Sequence, residues 1–302
     1  MKRIYIFILS LLAISCEMIF DIEYENGKNR FLIACVPSAG DEKVEIHLSL
    51  ARSVSAPVEE PLRPEDIDLR LFADGKSIPV KYDRTNGPQF YYISEFPIRA
   101  GQDIRIEARA DNYETAYSEI EVPQPPVLAS DIMVENILLT SDPLYGTCEV
   151  SFIDNPETED IYGLMLWRTK TSSADVPSLH TPCAIDLNVD SFVFPDKYEV
   201  DLNVGQMIFW KESASSQEQT IKLDIITLES SAKGDPFIYR PVIYRLSPEL
   251  YRYCKGQWDM RNNFVSTSGF SPATFAYTNI VGGIGILGAM SPVTGPWFNI
   301  GF

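Results

Sequence analysis

The sequence is poor in the residues that most often perform catalysis or hold metal ions. Among 302 residues there are 2 histidines and 5 cysteines. It also lacks the HExxH pattern of zinc peptidases and the GxSxG elbow of serine hydrolases. The cysteines do not have zinc-finger spacing. We therefore predict no catalytic residue, no cofactor and no metal, and we do not expect an enzyme.

Basic residues are scarce as well. The chain has 25 lysines and arginines against 42 acidic residues, which gives a formal net charge of −17. Such a charge repels phosphate backbones, and no basic patch compensates for it, so we exclude nucleic acid as a partner. The composition, 45% hydrophobic and 22% charged, is typical of a globular protein. The length favours two domains.

The apolar run at the N-terminus is too short to span a bilayer. It follows Met1-Lys2-Arg3 and ends near residue 14. A spanning helix needs about 20 apolar residues, so this pattern indicates a secretion signal. Leu12-Ala13-Ile14-Ser15-Cys16 resembles the lipobox of bacterial lipoproteins. It predicts cleavage between Ser15 and Cys16 and acylation of Cys16, which would bind membrane lipid. An ordinary cleaved signal with an incidental cysteine is the alternative.

An acidic stretch follows the predicted anchor. Glu17, Asp21, Glu23 and Glu25 lie within residues 16–28. This stretch resembles the tag that sends lipoproteins of the Bacteroidota to the outer face of the outer membrane. We therefore expect a lipid-anchored, surface-exposed outer-membrane protein. A solvated tether without such a signal is the alternative.

From residue 29 onward the sequence is typical of β-structure. Apolar and polar residues alternate strictly at residues 43–50, 66–71 and 103–108, and turn signals lie between these runs. Strict alternation indicates antiparallel strands with one buried face. Six or so short strands in about a hundred residues predict an immunoglobulin-like β-sandwich.

A proline-rich segment ends the first pattern and predicts a domain boundary. The predicted fold is all-β, with a second β-rich domain that contains one helix. The helix is predicted to begin at Ser247-Pro248-Glu249. Ser247 is the N-cap, Pro248 is the proline at the first helical position, and Glu249 is an acid at the positive end of the helix dipole. Tyr251, Cys254 and Trp258 fall on one stripe that we expect to pack on a sheet. The predicted divisions are residues 1–15 (signal peptide), 16–28 (acidic tether), 29–122 (immunoglobulin-like β-sandwich), 123–129 (proline-rich linker) and 130–302 (C-terminal β-rich domain).

Four cysteines remain besides Cys16. An exported location permits disulfides. Cys183 is a candidate partner for either Cys148 or Cys254, whereas Cys35 lies in an apolar run typical of a buried thiol. Plain buried thiols at all four positions are the alternative.

Several local motifs are weak on inspection. Residues 283–288 match the dinucleotide fingerprint GxGxxG, but the chain ends too soon for a βαβ unit, so we expect a bulge or a close backbone approach there. Residues 186–190 and the acidic loop 154–160 imitate calcium ligands without a full ligand set. His47 is expected to be solvated, and His180 lies in a loop. The four tryptophans could stack on sugars but are expected to pack in the core.

The C-terminal part carries a family resemblance. The run from Leu246 to Tyr253 and the later run Tyr277-Thr278-Asn279, continuing to Gly288, resemble the end of an uncharacterised outer-membrane lipoprotein family of the Bacteroidota, the DUF4249 family. Leu287 stands where phenylalanine is commoner. The resemblance covers nearly all of the mature chain. It implies no activity and no catalytic residues.

The resemblance does imply a setting. Proteins of this kind are similar in layout to accessory lipoproteins of transporters driven by the energy-coupling protein TonB. The leading hypothesis is a non-enzymatic surface lipoprotein that assists uptake of a small or oligomeric nutrient and docks on such a transporter. A surface hydrolase of glycans or peptides, acting through dispersed carboxylates, is the first alternative. An adhesive or structural module is the second.

Overall fold

The computed structural model describes residues 29–51, 62–139, 145–154, 158–183, 185–187, 198–202, 205–211, 218–226, 235–262 and 277–300. Ser15, Cys16, the signal and the acidic tether lie outside these ranges, as do Asn188 and Asp190 of the calcium-like motif. Within the described residues the chain forms strands in four sheets and one α-helix. The predicted all-β class is confirmed.

The first module is a sandwich of two sheets around one apolar core. Alternation along β2 (Val44–Ala51) places Ile46 and Leu48 fully inside and leaves His47 between them partly exposed. One sheet has the order β18 (Ile284–Leu287), β1 (Arg30–Cys35), β2 (Val44–Ala51), β6 (Gln89–Ser94), β5 (Lys81–Asn86). The other has the order β4 (Lys76–Ile78), β3 (Asp68–Ala73), β7 (Asp103–Arg109), β8 (Ala116–Glu121). The immunoglobulin-like sandwich predicted from the alternation is therefore present.

The second module also consists of two sheets that enclose a core of aromatic and aliphatic side chains. One sheet has the order β13 (Ile185–Leu187), β16 (Glu218–Ile226), β10 (Tyr145–Ile153), β9 (Met133–Leu139). The other has the order β14 (Tyr198–Leu202), β15 (Gly205–Lys211), β11 (Ile161–Lys170), β17 (Phe237–Leu246), β19 (Met290–Thr294), and β12 (Thr181–Pro182) pairs with β11.

The helix α1 (Pro248–Asn262) begins where its sequence signals predict. The Ser247 hydroxyl accepts hydrogen bonds from the amides of Leu250, at 3.3 Å, and Ala289, at 3.1 Å. The first bond satisfies an orphan amide of the first turn, and the second ties the cap to the C-terminal segment. Cys254 is buried in an apolar cluster on the outer face of the sheet that contains β15, β11 and β17. Tyr251 and Trp258 pack against the same cluster. The predicted packing stripe is confirmed.

The C-terminal segment returns to the first module. Strand β18 runs parallel to β1, with Leu32 opposite Ile284 and Cys35 opposite Leu287. Immediately afterwards, β19 pairs with β17 in the second module. The prediction assigned every residue after 130 to the second domain, so the placement of β18 corrects it. A parallel partner this distant in sequence leaves no local signal that could reveal the pairing.

The lack of a side chain at Gly285 and the side-chain amide of Asn279 explain how β18 fits. Gly285 has a φ of +114°, and a Cβ there would lie 2.0 Å from the carbonyl oxygen of Ile33. This is the close backbone approach expected for the glycine-rich motif. The Asn279 amide donates to the Leu287 carbonyl at 2.8 Å and accepts from the Leu287 amide at 3.0 Å. Asn279 thus occupies backbone groups on the outer edge of β18.

Further contacts join the modules beside β18. The Gly288 amide donates to the Cys35 carbonyl at 3.0 Å, and the Ala39 amide donates to the Met290 carbonyl at 2.9 Å. The Ser291 hydroxyl donates to the Pro123 carbonyl in the linker. No helix among the described residues has the length and apolarity required to cross a bilayer.

Replacing Gly285 with alanine tests this junction against a matched glycine. Gly40 also has a positive φ, +93°, but a Cβ there would meet no atom within 4 Å. We expect Gly40→Ala to lower the free energy of unfolding by about 1–2 kcal/mol through backbone strain alone. Gly285→Ala should cost at least ~1–3 kcal/mol more, because its Cβ overlaps backbone. Urea unfolding measures both, and equal losses would contradict the proposed fit.

Candidate functional site

The predicted cysteine positions provide no reactive site. Cys148 and Cys183 lie in the core between the two sheets of the second module, and Cys254 lies under α1 on the other side of one sheet. All three thiols are buried, as is that of Cys35. Burial raises the pKa of Cys148 and Cys254 to about 12 and that of Cys183 to about 11. Such thiols are poor nucleophiles.

The positions also bear on the predicted disulfide. A bridge from Cys183 to Cys254 would have to cross a sheet, because the two side chains belong to different core clusters. Cys183 and Cys148 share one cluster. A bridge between those two stays a prediction.

The acidic loop contributes a buried polar network. The Tyr162 hydroxyl donates to Asp154 and lies 3.4 Å from Asp160, and the Arg245 guanidinium donates to Asp160. Asp154 is 3% exposed and Asp160 is 1% exposed, so a polymeric substrate cannot reach either carboxylate. In the part of the chain that the structure describes, no group of three acidic, histidine or cysteine residues could hold a metal ion. The network is best understood as an internal support between β10 and β11.

His47 occupies a different setting from the one expected, whereas His180 lies in a loop as expected. His47, predicted to be only solvated, lies 2.6 Å from a Glu45 carboxylate oxygen and packs against the Tyr91 ring at 4.5 Å between centroids. Neighbouring strand residues create this contact because Tyr91 lies opposite His47. His180 has its Nε2 3.0 Å from the Ala174 carbonyl oxygen, which requires Nε2 to carry the proton.

The most distinctive arrangement near the protein surface lies close to the beginning of β17 and is made of half-buried side chains. The Arg240 guanidinium carbon lies 4.4 Å from the centre of the Trp297 ring. The His180 ring also contacts Trp297. The two rings are edge-on, with 5.1 Å between their centroids. Leu179, 55% exposed, and Val176, 42% exposed, lie in the loop that leads to His180. We call these five residues the Arg240–Trp297 surface.

Strand pairing builds this surface. The backbone of Phe298 pairs with that of Tyr239 through two 2.8 Å hydrogen bonds, which holds Trp297 beside Arg240. Thr169, near the end of β11, donates to the Leu179 carbonyl at 3.5 Å and so tethers the loop to the same sheet. The elements that carry the surface are therefore fixed by the sheet.

The electrostatics of Arg240 are unusual for an acidic chain. Among the described residues no carboxylate lies within ion-pair distance of it, although the protein carries 42 acids. Its Nε is buried without a hydrogen-bond partner. Burial lowers the pKa of Arg240, since the charged form is partly desolvated. A half-buried guanidinium on an indole ring is a group that gains from an incoming acceptor.

Sequence reasoning only partly anticipated this surface. Trp297 was among the four tryptophans considered for stacking, whereas Trp210 is 3% exposed and packs in the core as expected. Arg240 carries no sequence signal, because the absence of an acidic partner within the described part of the chain depends on how distant segments meet. His180 was recognised only as a loop residue.

The fold and the surface define a class: an all-β protein of two modules with a half-buried arginine–aromatic cluster. The chain belongs to the family described as "Domain of unknown function (DUF4249)", whose family model matches residues 17–295. This establishes the family part of the resemblance noted in the sequence. A search of curated proteins finds no match.

Two solved structures are distantly similar to this chain. The chain is similar to the tandem Ig repeats of Dlar, with 11% identity, a TM-score of 0.24, and coverage of 72% of this chain and 90% of that chain. It is also similar to the Yersinia pseudotuberculosis adhesin InvE, with 12% identity, a TM-score of 0.22, and coverage of 72% of this chain and 55% of that chain. It therefore spans about half of the adhesin chain. Likenesses this distant carry no argument about function.

The buried network predicts a pH dependence of stability. Burial raises the pKa of Asp160, so the folded state holds this proton more tightly than the unfolded state. The stabilisation is complete below the unfolded pKa of about 3.9 and is lost as the pH rises through the folded pKa. Asp160→Asn removes this titration. The difference in unfolding free energy, parent minus variant, should therefore fall as the pH rises.

Urea unfolding at a series of pH values measures this difference. Asp111→Asn, at an exposed turn, is the matched control and should leave the pH slope of the parent unchanged. Identical slopes for the parent and Asp160→Asn would contradict a raised pKa at Asp160.

Proposed function

We propose that this chain is a lipid-anchored, non-enzymatic binding protein of the outer-membrane surface, which assists nutrient uptake by docking on a TonB-dependent transporter. The lipobox-like run that ends at Cys16 supports the anchor, and the acidic residues after it support export to the surface. The family adds no activity of its own.

The observation that carries the binding role is Arg240. A guanidinium that is half-buried, stacked on Trp297 and without a carboxylate partner among the described residues loses hydration and gains little inside the monomer. Arginine and tryptophan are the residue types that most often dominate binding energy at interfaces. Leu179 and Val176, which precede His180 in the chain, add exposed apolar side chains to the loop that carries His180. The partner surface that fits presents a carboxylate next to apolar groups.

A substitution at Cys16 tests the anchor. Because the thiol is the site of acylation, Cys16→Ser should abolish incorporation of labelled palmitate and move the protein from the membrane fraction to the soluble fraction. Cys35→Ser, at a buried thiol of the first module, is the control and should leave labelling unchanged. A Cys16→Ser protein that stays with the membrane would refute the anchor.

A substitution at Arg240 tests docking. Gentle solubilisation followed by co-purification should recover a β-barrel transporter with the parent protein. Arg240→Met keeps the apolar stem and removes the charge, and it should reduce recovery at least about tenfold, since losing a charged hydrogen bond costs ~1.5–3 kcal/mol. Arg99→Met, at an exposed arginine of the first module, should have no effect.

Two results would count against docking through this surface. The first is recovery of the parent protein only as a free species. The second is an equal loss of the barrel with Arg240→Met and Arg99→Met, which would indicate a general charge effect.

A further inference from the structure

Arg240 lies between two tryptophans on the outer face of the sheet that contains β11 and β17. Trp167 on β11 is directly opposite Arg240 on β17, so both side chains project from the same face. Side chains in directly opposite positions of antiparallel strands have Cβ atoms about 4.5–5.5 Å apart. Trp297 comes from the other flank of β17, where Phe298 pairs with Tyr239, and its ring centre lies 4.4 Å from the guanidinium carbon. Arg240 therefore has an indole on each side.

The Trp167 side chain is held in place by its surroundings and remains partly exposed. On the side of β11 away from Arg240, Pro182 lies opposite Trp167. The Tyr244 hydroxyl accepts a hydrogen bond from the Trp167 side chain, and Trp167 packs against the apolar cluster that includes Val242 and Tyr244. Because the single N–H of this indole is already bonded, Trp167 offers an incoming group an apolar ring and no further donor.

Two donor groups of Arg240 remain for a ligand. The Nε atom is buried without a hydrogen-bond partner. The two Nη groups also bond to no residue that the structure describes, but they are not buried. They form the open end of a planar guanidinium, whose two parallel N–H donors match the two oxygens of a carboxylate.

The surroundings of Arg240 favour a singly charged, planar acceptor. A phosphate can accept from the same two Nη groups, but it is tetrahedral, and a chain with a net charge of −17 repels its second charge as well as its first. A neutral amide lacks the charge, and charge-assisted hydrogen bonds are about twice as strong as neutral ones. The two indoles add contact area for an apolar stem that carries the acceptor.

We propose, on the basis of the binding role assigned above to the Arg240–Trp297 surface, that this surface together with Trp167 selects a monocarboxylate on an apolar stem. The carboxylate accepts hydrogen bonds from the two Nη groups of Arg240, and the stem lies along the rings of Trp167 and Trp297. A carboxylate of a partner protein and a free small carboxylic acid share this chemistry. Trp167 is then a specificity-determining residue, which the sequence marks only as one of 4 tryptophans.

Nuclear magnetic resonance of the tryptophan side chains tests this selection without a partner protein. The mature chain from Glu17 carries nitrogen-labelled tryptophan and is titrated separately with hexanoate, hexanamide and hexyl phosphate. Each of the 4 indole N–H groups gives one signal, which is assigned with single tryptophan-to-phenylalanine variants. Hexanoate should shift the signals of Trp167 and Trp297. Hexanamide should bind at least about tenfold more weakly because it lacks the charge, and hexyl phosphate should also bind more weakly than hexanoate.

Two variants separate the roles of the residues. Arg240→Met removes the donors and should abolish the hexanoate shift, whereas Arg99→Met, at an exposed arginine of the first module, should leave it unchanged. Trp167→Leu should retain hexanoate binding but lower its preference over hexyl phosphate, because one flat apolar wall is lost. A general loss of stability would not change that ratio. The signal of Trp210, a core residue, at its parent position shows that each variant is folded.

Equal affinities for hexanoate and hexyl phosphate would overturn the selection. The absence of a shift at Trp297, or an equal shift at Trp258 on α1, would also overturn it, because binding would then not involve this surface. If the transporter uses the same chemistry, added hexanoate should reduce its recovery in the co-purification. A preference for hexanoate without any recovery of a barrel would refute docking and support the carboxylate site alone.

Discussion

The close passage of Gly285 against the Ile33 carbonyl is the contact on which the arrangement of the two modules depends. With any other residue at position 285, β18 could not lie beside β1, since a Cβ would be 2.0 Å from that oxygen. β18 leads directly into β19, which pairs with β17 of the second module. The same contact therefore also fixes the position of β19 at the junction of the two modules. Asn279, Gly288 and Ser247 then bind the helix, the strand and the first module into one junction.

Much of the architecture was predictable because it follows from local patterns. Alternation in residues 43–50 and 103–108 corresponds to β2 and β7, and the Ser247-Pro248-Glu249 signal marks the start of α1. The placement of β18 was not predictable in this way. Its sequence is glycine-rich and short, and it pairs in parallel with a strand near the other end of the chain. Local reasoning assigns such a segment to its neighbours in sequence.

The candidate surface was likewise only partly predictable from local sequence. A tryptophan is visible in a sequence, so Trp297 could be considered for stacking, although nothing distinguished it from Trp210 in the core. Arg240 is distinctive because no carboxylate among the described residues lies within ion-pair distance of it. A missing ionic partner becomes apparent only when every nearby segment has been placed, and for this reason electrostatic sites are harder to infer from sequence than helices or strands.

Because β18 is synthesised long after β1, the first sandwich stays incomplete during most of synthesis. β1 obtains its parallel neighbour from residues 284–287, so the first sandwich has an unfilled edge until the polypeptide has been synthesised as far as those residues. An unfilled edge is a template for pairing with other chains. Folding of this protein therefore favours chaperones that shield the nascent N-terminal half, and a prematurely terminated chain would be prone to aggregate rather than to yield a shorter folded domain.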